Sequence, residues 1–419
     1  MNYADLVEKE KDVLFEILKS IISFPSINPP GNELDAQKWV ASKFQEFGVD
    51  FDLFEVFPGR PDVVGILKGT GRGRSLILNG HIDVVPARLL DEWHSNPFEA
   101  VFKDEKVYGR GVTDMKGALA CYLFVAFLLK KYSIKVAGDL IIESVIGEEE
   151  GQPGTQTCLD RNYMADFAIV GESSEARQIL AGVGILRGLI EVKSPYILHF
   201  GARRLVIQTG GGQEGANAIE KMSTRIIPCL LELERHWAVM KSHPLLISGM
   251  GLINIFNIKA EGHPAIMPHT CSIEFVVTQY PDEPEEDLKQ EVEDSVRRAC
   301  EADMWLRKYP AQVEWPKGSH SFRFFPHSYD TESEPIRFLA KSYKSITGED
   351  IAFGGRGGMT DAGVLVRGGI PAVVYGPGKI HQSHRVNEWV WVKDLIIYSK
   401  TILDFVMNWC GSSPAPVTK

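Results

Sequence analysis

"LILNGHIDVVP", residues 76–86, is an apolar run that ends in an imidazole and a carboxylate, those of His81 and Asp83. A short apolar run of this kind is typical of a strand buried on both faces, as strands in parallel sheets are. In open α/β sheets, ligands bind at the carboxyl ends of such strands. The stretch therefore predicts a central strand with functional residues at its C-terminal end.

The segments that follow alternate between helix and strand patterns. Residues 113–132, "TDMKGALACYLFVAFLLKKY", have helical periodicity, and residues 138–147, "GDLIIESVIG", are apolar and β-branched. A further short strand pattern, "DFAIVGE", covers residues 166–172. This alternation predicts the α/β class, with a mainly parallel central sheet flanked by helices.

The pattern changes near Gly184 to the order βαββαβ, which is typical of a small ferredoxin-like α+β domain. The α/β pattern then resumes toward the C-terminus. We therefore predict a catalytic domain in two parts, 1–184 and 318–411, with a domain of residues 185–317 inserted between them. The Pro/Ser-rich residues 412–419 are expected to be a disordered tail.

Composition favours a globular protein that acts on small molecules. The 419 residues carry a formal net charge of −10 without a long run of Lys or Arg, so we expect no nucleic acid and no membrane as partner. We find no signal-peptide pattern and no stretch of transmembrane length. The six cysteines lack C-x-x-C spacing, and we therefore expect a reducing, cytoplasmic location.

Imidazole and carboxylate groups follow the strand patterns in five separate motifs. The motifs are "NGHIDVVP" with His81 and Asp83, "YGRGVTDMKGA" with Asp114, "IGEEEG" with Glu148 to Glu150, "IVGES" with Glu172, and "GPGKIHQSHRVNEW" with His381 and His384. Taken singly, each of these residues is more often an ordinary loop residue. Three adjacent carboxylates, however, repel one another unless a cation or a shared proton stabilises them. Imidazole and carboxylate without thiolate suit zinc, cobalt or manganese.

Together with "FPSINPPGNE" near the start, these motifs resemble the dinuclear-zinc amidohydrolase and exopeptidase family. That family includes acetylornithine deacetylase, succinyl-diaminopimelate desuccinylase, aminoacylase and glutamate carboxypeptidase. The resemblance covers nearly the whole chain. It implies a zinc exopeptidase-like catalytic domain, an inserted lid or dimerisation domain that forms a homodimer, and two divalent metal ions. Zinc is favoured, with cobalt or manganese as alternatives.

Matching position by position, the resemblance assigns five metal ligands. His81 and Glu172 would bind one ion, and Glu149 and His384 would bind the other. Asp114 would bridge both ions. Asp83 would accept the other ring N–H of His81 and fix its tautomer. Glu150 and His381 receive no role.

The resemblance also implies the catalytic groups. Glu148 would be the general base that accepts a proton from a metal-activated bridging water and later delivers it to the leaving amine. His199, in "SPYILHFGARR", is the candidate that reaches across a dimer interface to stabilise the oxyanion. Its surroundings differ from those of most family members, because "HFG" and a long following segment replace "HAG" and a short one. This departure resembles a branch of deacetylases and aminopyrimidine deformylases.

The leading hypothesis is therefore a zinc-dependent amidohydrolase, a deacylase that cleaves the linear amide bond of an N-acylated amino acid or related small amine. One alternative is a dipeptidase or carboxypeptidase of the same family, and another is a non-catalytic relative that binds metal or a small ligand. Arg203, Arg204 or Arg356 could hold a substrate carboxylate, although we take all three as surface charges by default.

Overall fold

The computed structural model describes residues 3–202, 215–317 and 322–411. Contacts divide the chain into two compact units. The first consists of Met1–Ala181, His327–Gly355 and Thr360–Lys419, and the second of Gly182–Pro326 and Arg356–Met359. The expected tail at 412–419 lies outside the described residues.

The described part of the chain contains sixteen strands, numbered in chain order: β1 Asp50–Phe57, β2 Arg60–Leu67, β3 Leu76–His81, β4 Val101–Lys103, β5 Lys106–Tyr108, β6 Leu140–Val145, β7 Phe167–Val170, β8 Arg177–Gly182, β9 Gly184–Lys193, β10 Ile253–Ala260, β11 Thr270–Gln279, β12 Gln312–Glu314, β13 His327–Ser328, β14 Ala352–Arg356, β15 Ala372–Val374 and β16 Trp389–Trp391. Its α-helices are Tyr3–Ile22, Leu34–Phe47, Lys116–Lys131, Pro153–Asp160, Ala218–Lys221, Ile227–Met240, Glu285–Glu301, Glu334–Thr347, Ala362–Arg367 and Val392–Trp409.

The first unit is built on a nine-stranded sheet in the order β1-β2-β6-β3-β7-β15-β8-β13, with β14 paired to β8. Its four central strands, β6, β3, β7 and β15, run parallel, as predicted. The helix Lys116–Lys131 is buried along almost its whole length, because its apolar residues surround the helix on all sides. It packs on β3 and β6, whereas Pro153–Asp160 and Ala362–Arg367 join an apolar cluster with β3, β6 and β7.

The register of the parallel strands brings their carboxyl ends to one edge of the sheet. His81 at the end of β3 pairs with Val145 at the end of β6, and Asn79 pairs with Val170 at the end of β7. The residues that follow each strand therefore emerge side by side, and these are the residues of the "HID", "GEEEG" and "GES" motifs.

The second unit has a four-stranded sheet in the order β10-β11-β9-β12, in which neighbouring strands are antiparallel. With the helices between β9 and β10 and between β11 and β12, this is the ferredoxin-like arrangement that the sequence predicts. Both helices pack on the sheet through a buried apolar cluster. The first is less regular than expected, because a π-helical turn, Met222–Ile226, interrupts it.

The sequence prediction missed β8, β13, β14 and a small sheet of β16, β5 and β4. The three strands of the small sheet have three residues each, too few to show a period of two. No helix of the described residues combines the length and the apolar character that crossing a membrane requires. All six cysteines are free, and all but Cys229 are buried.

Candidate dinuclear metal centre

The first group of candidate ligands surrounds the buried end of β3. The ring of His81 is fully buried, and its Nδ1 lies 2.9 Å from the backbone carbonyl of Asp83. Its Nε2 lies 3.1 Å from Asp114 Oδ1 and 3.2 Å from Glu172 Oε1. One imidazole nitrogen and two carboxylate oxygens therefore converge on one point.

The second group shares Asp114 with the first. His384 Nε2 lies 3.1 Å from Glu149 Oε1 and 3.3 Å from Asp114 Oδ2. In each group the three candidate ligand atoms lie within 4.8 Å of one another. Asp114 thus presents one carboxylate oxygen to each group, which is the geometry that a bridging ligand requires. The two groups contain the five residues that the resemblance assigns as ligands.

Without a bound cation, the carboxylates of the two groups raise the pKa values of the imidazoles. Hydrogen bonds from the His384 ring to Asp114 and Glu149 raise the pKa of His384 to about 11. Burial opposes the charged form of His81, but its hydrogen bonds to Asp114, Asp83 and Glu172 outweigh burial and hold its pKa well above the ordinary value. In each group, the positive charge of the protonated imidazole therefore offsets the negative charges of the neighbouring carboxylates.

The pKa values of the carboxyl groups shift in opposite directions, depending on the partners of each group. Burial acts to raise the pKa of Asp114, but hydrogen bonds to His384 and His81 outweigh it and hold that pKa well below the ordinary value. Burial raises the pKa of Glu149 to about 7, against the opposing hydrogen bond from His384. Burial also raises the pKa of Glu148 well above its ordinary value, and the nearby negative charge of Glu172 adds to this shift.

Asp83 contacts both His81 and the turn that follows β6. The nearest acceptor for His81 Nδ1 is the Asp83 backbone carbonyl, while the Asp83 carboxylate oxygen is 3.5 Å away. That carboxylate also accepts hydrogen bonds from Asn28 Nδ2 at 2.9 Å and from the backbone N–H groups of Glu148 and Glu149 at 3.3 Å each. Asp83 therefore supports both the strand end that carries His81 and the turn that carries Glu148 and Glu149.

Glu148 and Glu149 sit in a short 3₁₀ turn that begins after Gly147, whose φ of 77° favours glycine. The turn separates the three glutamates by exposure: Glu148 is buried, Glu149 is half-buried and Glu150 is exposed. Gln152 Nε2 donates to Glu148 Oε1 at 3.2 Å and fixes the side chain. Glu148 is not a member of either group of candidate ligands, so its carboxylate is free to exchange protons.

The other predicted residues lie apart from the two groups. His381 Nδ1 is 3.8 Å from Glu175, in neither ligand group. His199 belongs to the second unit, where its exposed ring accepts a hydrogen bond from Gly201 N–H at Nδ1. Arg356 is only 8% exposed, so its reading as a surface charge is wrong. Arg203 and Arg204 lie outside the described residues.

Sequence reasoning missed Gln152 and two further buried residues that contact the site. Asn28, in the "FPSINPPGNE" segment, is the side-chain donor to Asp83. Glu388 accepts the backbone N–H of Asp114 at 3.1 Å. The signal was present in both cases, because both residues stand in the quoted motifs, but neither residue type indicates by itself what it contacts.

Comparisons with known proteins agree with this arrangement. Residues 77–408 match the sequence profile of peptidase family M20/M25/M40. The chain is 40% identical over 411 residues, 96% of each chain, to N-formyl-4-amino-5-aminomethyl-2-methylpyrimidine deformylase of Halalkalibacterium halodurans.

Solved structures show the same fold at low identity. A tripeptidase from Staphylococcus aureus matches with a TM-score of 0.73 and 17% identity, over 95% of this chain and 98% of that chain. A dinuclear metal-binding peptidase of the M20 family from Bacillus subtilis matches with a TM-score of 0.64 and 13% identity, over 94% and 97%. Because the family profile spans most of the chain and the deformylase is similar along nearly all of it, the chain belongs to peptidase family M20/M25/M40.

Proposed function

We propose that the chain is a metal-dependent deacylase that hydrolyses N-formyl-4-amino-5-aminomethyl-2-methylpyrimidine or a closely similar small N-acyl amine. The observation that carries this proposal is the 40% identity to the deformylase, which extends over 96% of both chains. Likeness to the peptidases is at 17% identity or less and concerns the fold alone. We therefore prefer an N-acyl amine to a peptide as substrate.

The donor set fits two divalent cations, and we propose that the two groups hold them. His81 and Glu172 would bind one ion and Glu149 and His384 the other, with Asp114 between them. One imidazole and carboxylate oxygens suit zinc, which we favour, as well as cobalt or manganese. When bound, such a pair lowers the pKa of a shared water and polarises the amide carbonyl.

The chain's own groups would carry the proton. Glu148 lies in the same turn as the candidate ligand Glu149 and is buried, and burial raises its pKa, which favours uptake of a proton by its carboxylate. It would accept a proton from the attacking water and deliver it to the nitrogen of the leaving amine. The products are then formate, or another carboxylate, and the free amine.

Other residues would position Glu148, leave access for the substrate and stabilise the oxyanion. Gln152 holds Glu148 by donating to Oε1, and Asp83 holds the backbone of the same turn. The side chain of His384 is 51% exposed, so the second ligand group is open to an entering substrate. We further propose that His199 donates from Nε2 to the oxyanion, since Nδ1 already accepts the Gly201 N–H. This role would require the homodimer that the family resemblance implies.

The test is a substrate panel with a metal assay. Purified protein would be incubated with the N-formyl aminopyrimidine, N-acetyl amino acids, N-succinyl-diaminopimelate and dipeptides, before and after removal of metal by a chelator. We expect the formamide to have the highest kcat/KM, two divalent ions per chain, and loss of turnover on chelation with recovery on adding zinc. Preference for dipeptides would refute the deacylase assignment, and turnover that resists chelation would refute the metal-dependent mechanism.

A further inference from the structure

A buried carboxylate behind the metal centre has no part in the proposed chemistry. Glu388 has no exposed surface, and both of its oxygens are fully engaged. Oε2 accepts from Arg110 Nη1 at 2.7 Å and from Gly111 N–H at 3.0 Å. Oε1 accepts from Thr113 N–H at 2.7 Å and from Asp114 N–H at 3.1 Å. All four donors belong to the turn that ends at Asp114.

This turn needs an acceptor from elsewhere in the chain. Gly109 and Gly111 have φ values of 156° and 91°, so the backbone does not follow a regular helix or strand there. The turn folds around the Glu388 carboxylate, which takes the place of the carbonyl oxygens that a regular element would provide. Leaving such buried N–H groups unpaired is costly, and the carboxylate satisfies three of them at once.

Further contacts join the same two segments. Gly109 N–H donates to the Glu388 carbonyl at 3.0 Å, and Thr113 Oγ1 donates to the Trp389 carbonyl at 2.9 Å. Strand β16 pairs with β5, with Trp389 opposite Tyr108. The candidate ligand Asp114 and the segment that follows the candidate ligand His384 are therefore held together as one piece.

We propose that Glu388 is a positioning residue for the metal pair. It fixes the backbone of Asp114 so that one carboxylate oxygen faces His81 and the other faces His384. The inference rests on the proposed function, because it concerns the same two ions. It adds a residue that touches neither ion and that determines how tightly both are held.

The charges around Glu388 make Glu388→Gln informative. The new amide NH₂ must point either at the Arg110 guanidinium and Gly111 N–H, or at the N–H groups of Thr113 and Asp114. The positive charge of Arg110 disfavours the first orientation, so the NH₂ group faces Asp114 and pushes its backbone away. In the double variant with Arg110→Met the charge is gone, and the amide oxygen can turn back to Asp114 N–H.

The measurement is zinc affinity of the full-length protein by chelator competition, with the visible spectrum of the cobalt-substituted form as a second readout. We expect Glu388→Gln to bind about 10- to 100-fold more weakly, with an altered cobalt spectrum. The double variant should recover part of this loss. Removing Arg110 also removes the unpaired charge that Glu388→Gln leaves buried, so thermal unfolding is measured on the same proteins, and recovery of zinc affinity beyond the recovery of stability marks the positioning role.

The matched control is Asp303→Asn in the second unit. Asp303 is also a buried, ion-paired carboxylate that accepts two backbone N–H groups, those of Trp305 and Leu306. Its variant should lose stability to a similar extent but keep the parent's zinc affinity. If it weakens zinc binding as much as Glu388→Gln does, the effect is one of general stability and the inference is overturned.

Thr113→Val provides a second route if Glu388→Gln does not fold. It removes one hydrogen bond between the same two segments without burying an unpaired charge, and we expect zinc affinity to fall roughly three- to tenfold. Parent-like affinity in Thr113→Val and in any folded Glu388→Gln protein would overturn the inference while leaving the proposed function intact. A parent protein that binds no divalent ion would overturn both.

Discussion

Metal uptake by the metal-free protein should release protons, and the structure gives the number. The imidazoles of His81 and His384 both have raised pKa values, about 11 in the case of His384. His384 is therefore protonated at pH 7.5, and the raised pKa of His81 favours its protonated form; each imidazole must lose that proton to bind an ion through nitrogen. Glu149, with a pKa of about 7, retains a proton in about a quarter of the molecules at that pH. We expect at least two protons to be released per chain, one from each imidazole, with a further fraction from Glu149.

The sign of the pH dependence follows directly. Protons compete with the ions, so the apparent affinity rises as pH increases. Two released protons correspond to about a 100-fold change in the overall binding constant per pH unit, or about 2.7 kcal/mol, above pH 7.5. Below the Glu149 pKa of about 7 the dependence becomes steeper, because that carboxyl also holds a proton.

The assay is isothermal titration calorimetry of zinc into metal-free protein, in buffers that share one pH and differ in ionisation enthalpy. The slope of observed enthalpy against buffer enthalpy gives the number of protons. His384→Ala should release about one proton fewer and bind one ion fewer, whereas His381→Ala, outside both groups, should match the parent. A slope below one proton in the parent, or an affinity independent of pH, would refute the argument that the carboxylates hold both imidazoles protonated.

Three further substitutions test individual roles. Glu148→Gln should lower kcat by about 10²- to 10⁴-fold and leave two ions bound, as measured by steady-state kinetics and elemental analysis; an unchanged kcat would exclude Glu148 as the base. Asp83→Asn places an amide NH₂ against the backbone N–H groups of Glu148 and Glu149. Zinc affinity, measured by chelator competition, should fall about 10- to 100-fold. An affinity equal to that of the parent would show that the backbone carbonyl of Asp83 suffices. His199→Ala should lower kcat about 100-fold with little change in KM, and light scattering should find a dimer; a fully active variant or a monomeric parent would remove His199 from the mechanism.

The ligand groups could be predicted because their signals are local in the sequence. Each candidate ligand follows an apolar strand or stands in a glycine-rich turn, and parallel strands bring their ends to one edge of the sheet. The family resemblance that these motifs carry could therefore assign five ligands together, and they lie together in the structure: His81, Asp114, Glu149, Glu172 and His384. The fold class followed from the same alternation of strands and helices.

The supporting contacts could not be predicted, because they join residues far apart in the chain. Asn28 and Asp83 are 55 positions apart, and Glu388 and Asp114 are 274 apart. No periodicity relates such pairs, and an asparagine or glutamate in a loop is usually solvated. Even for Asp83 the sequence indicated its proximity to His81 but not which of its atoms would be the acceptor.

The N-terminal segment has a consequence for how the protein can be divided. Ser26 and Asn28 exchange backbone hydrogen bonds with Val84, and the Ser26 hydroxyl donates to the Ile82 carbonyl. This segment therefore acts as a brace, in that its hydrogen bonds stabilise the residues that follow β3. The match to the family profile begins at residue 77, after that segment. A truncated protein cut at the profile boundary would lose the brace along with two helices and two sheet strands. We therefore expect a piece of this chain that lacks residues 1–76 not to present an assembled site.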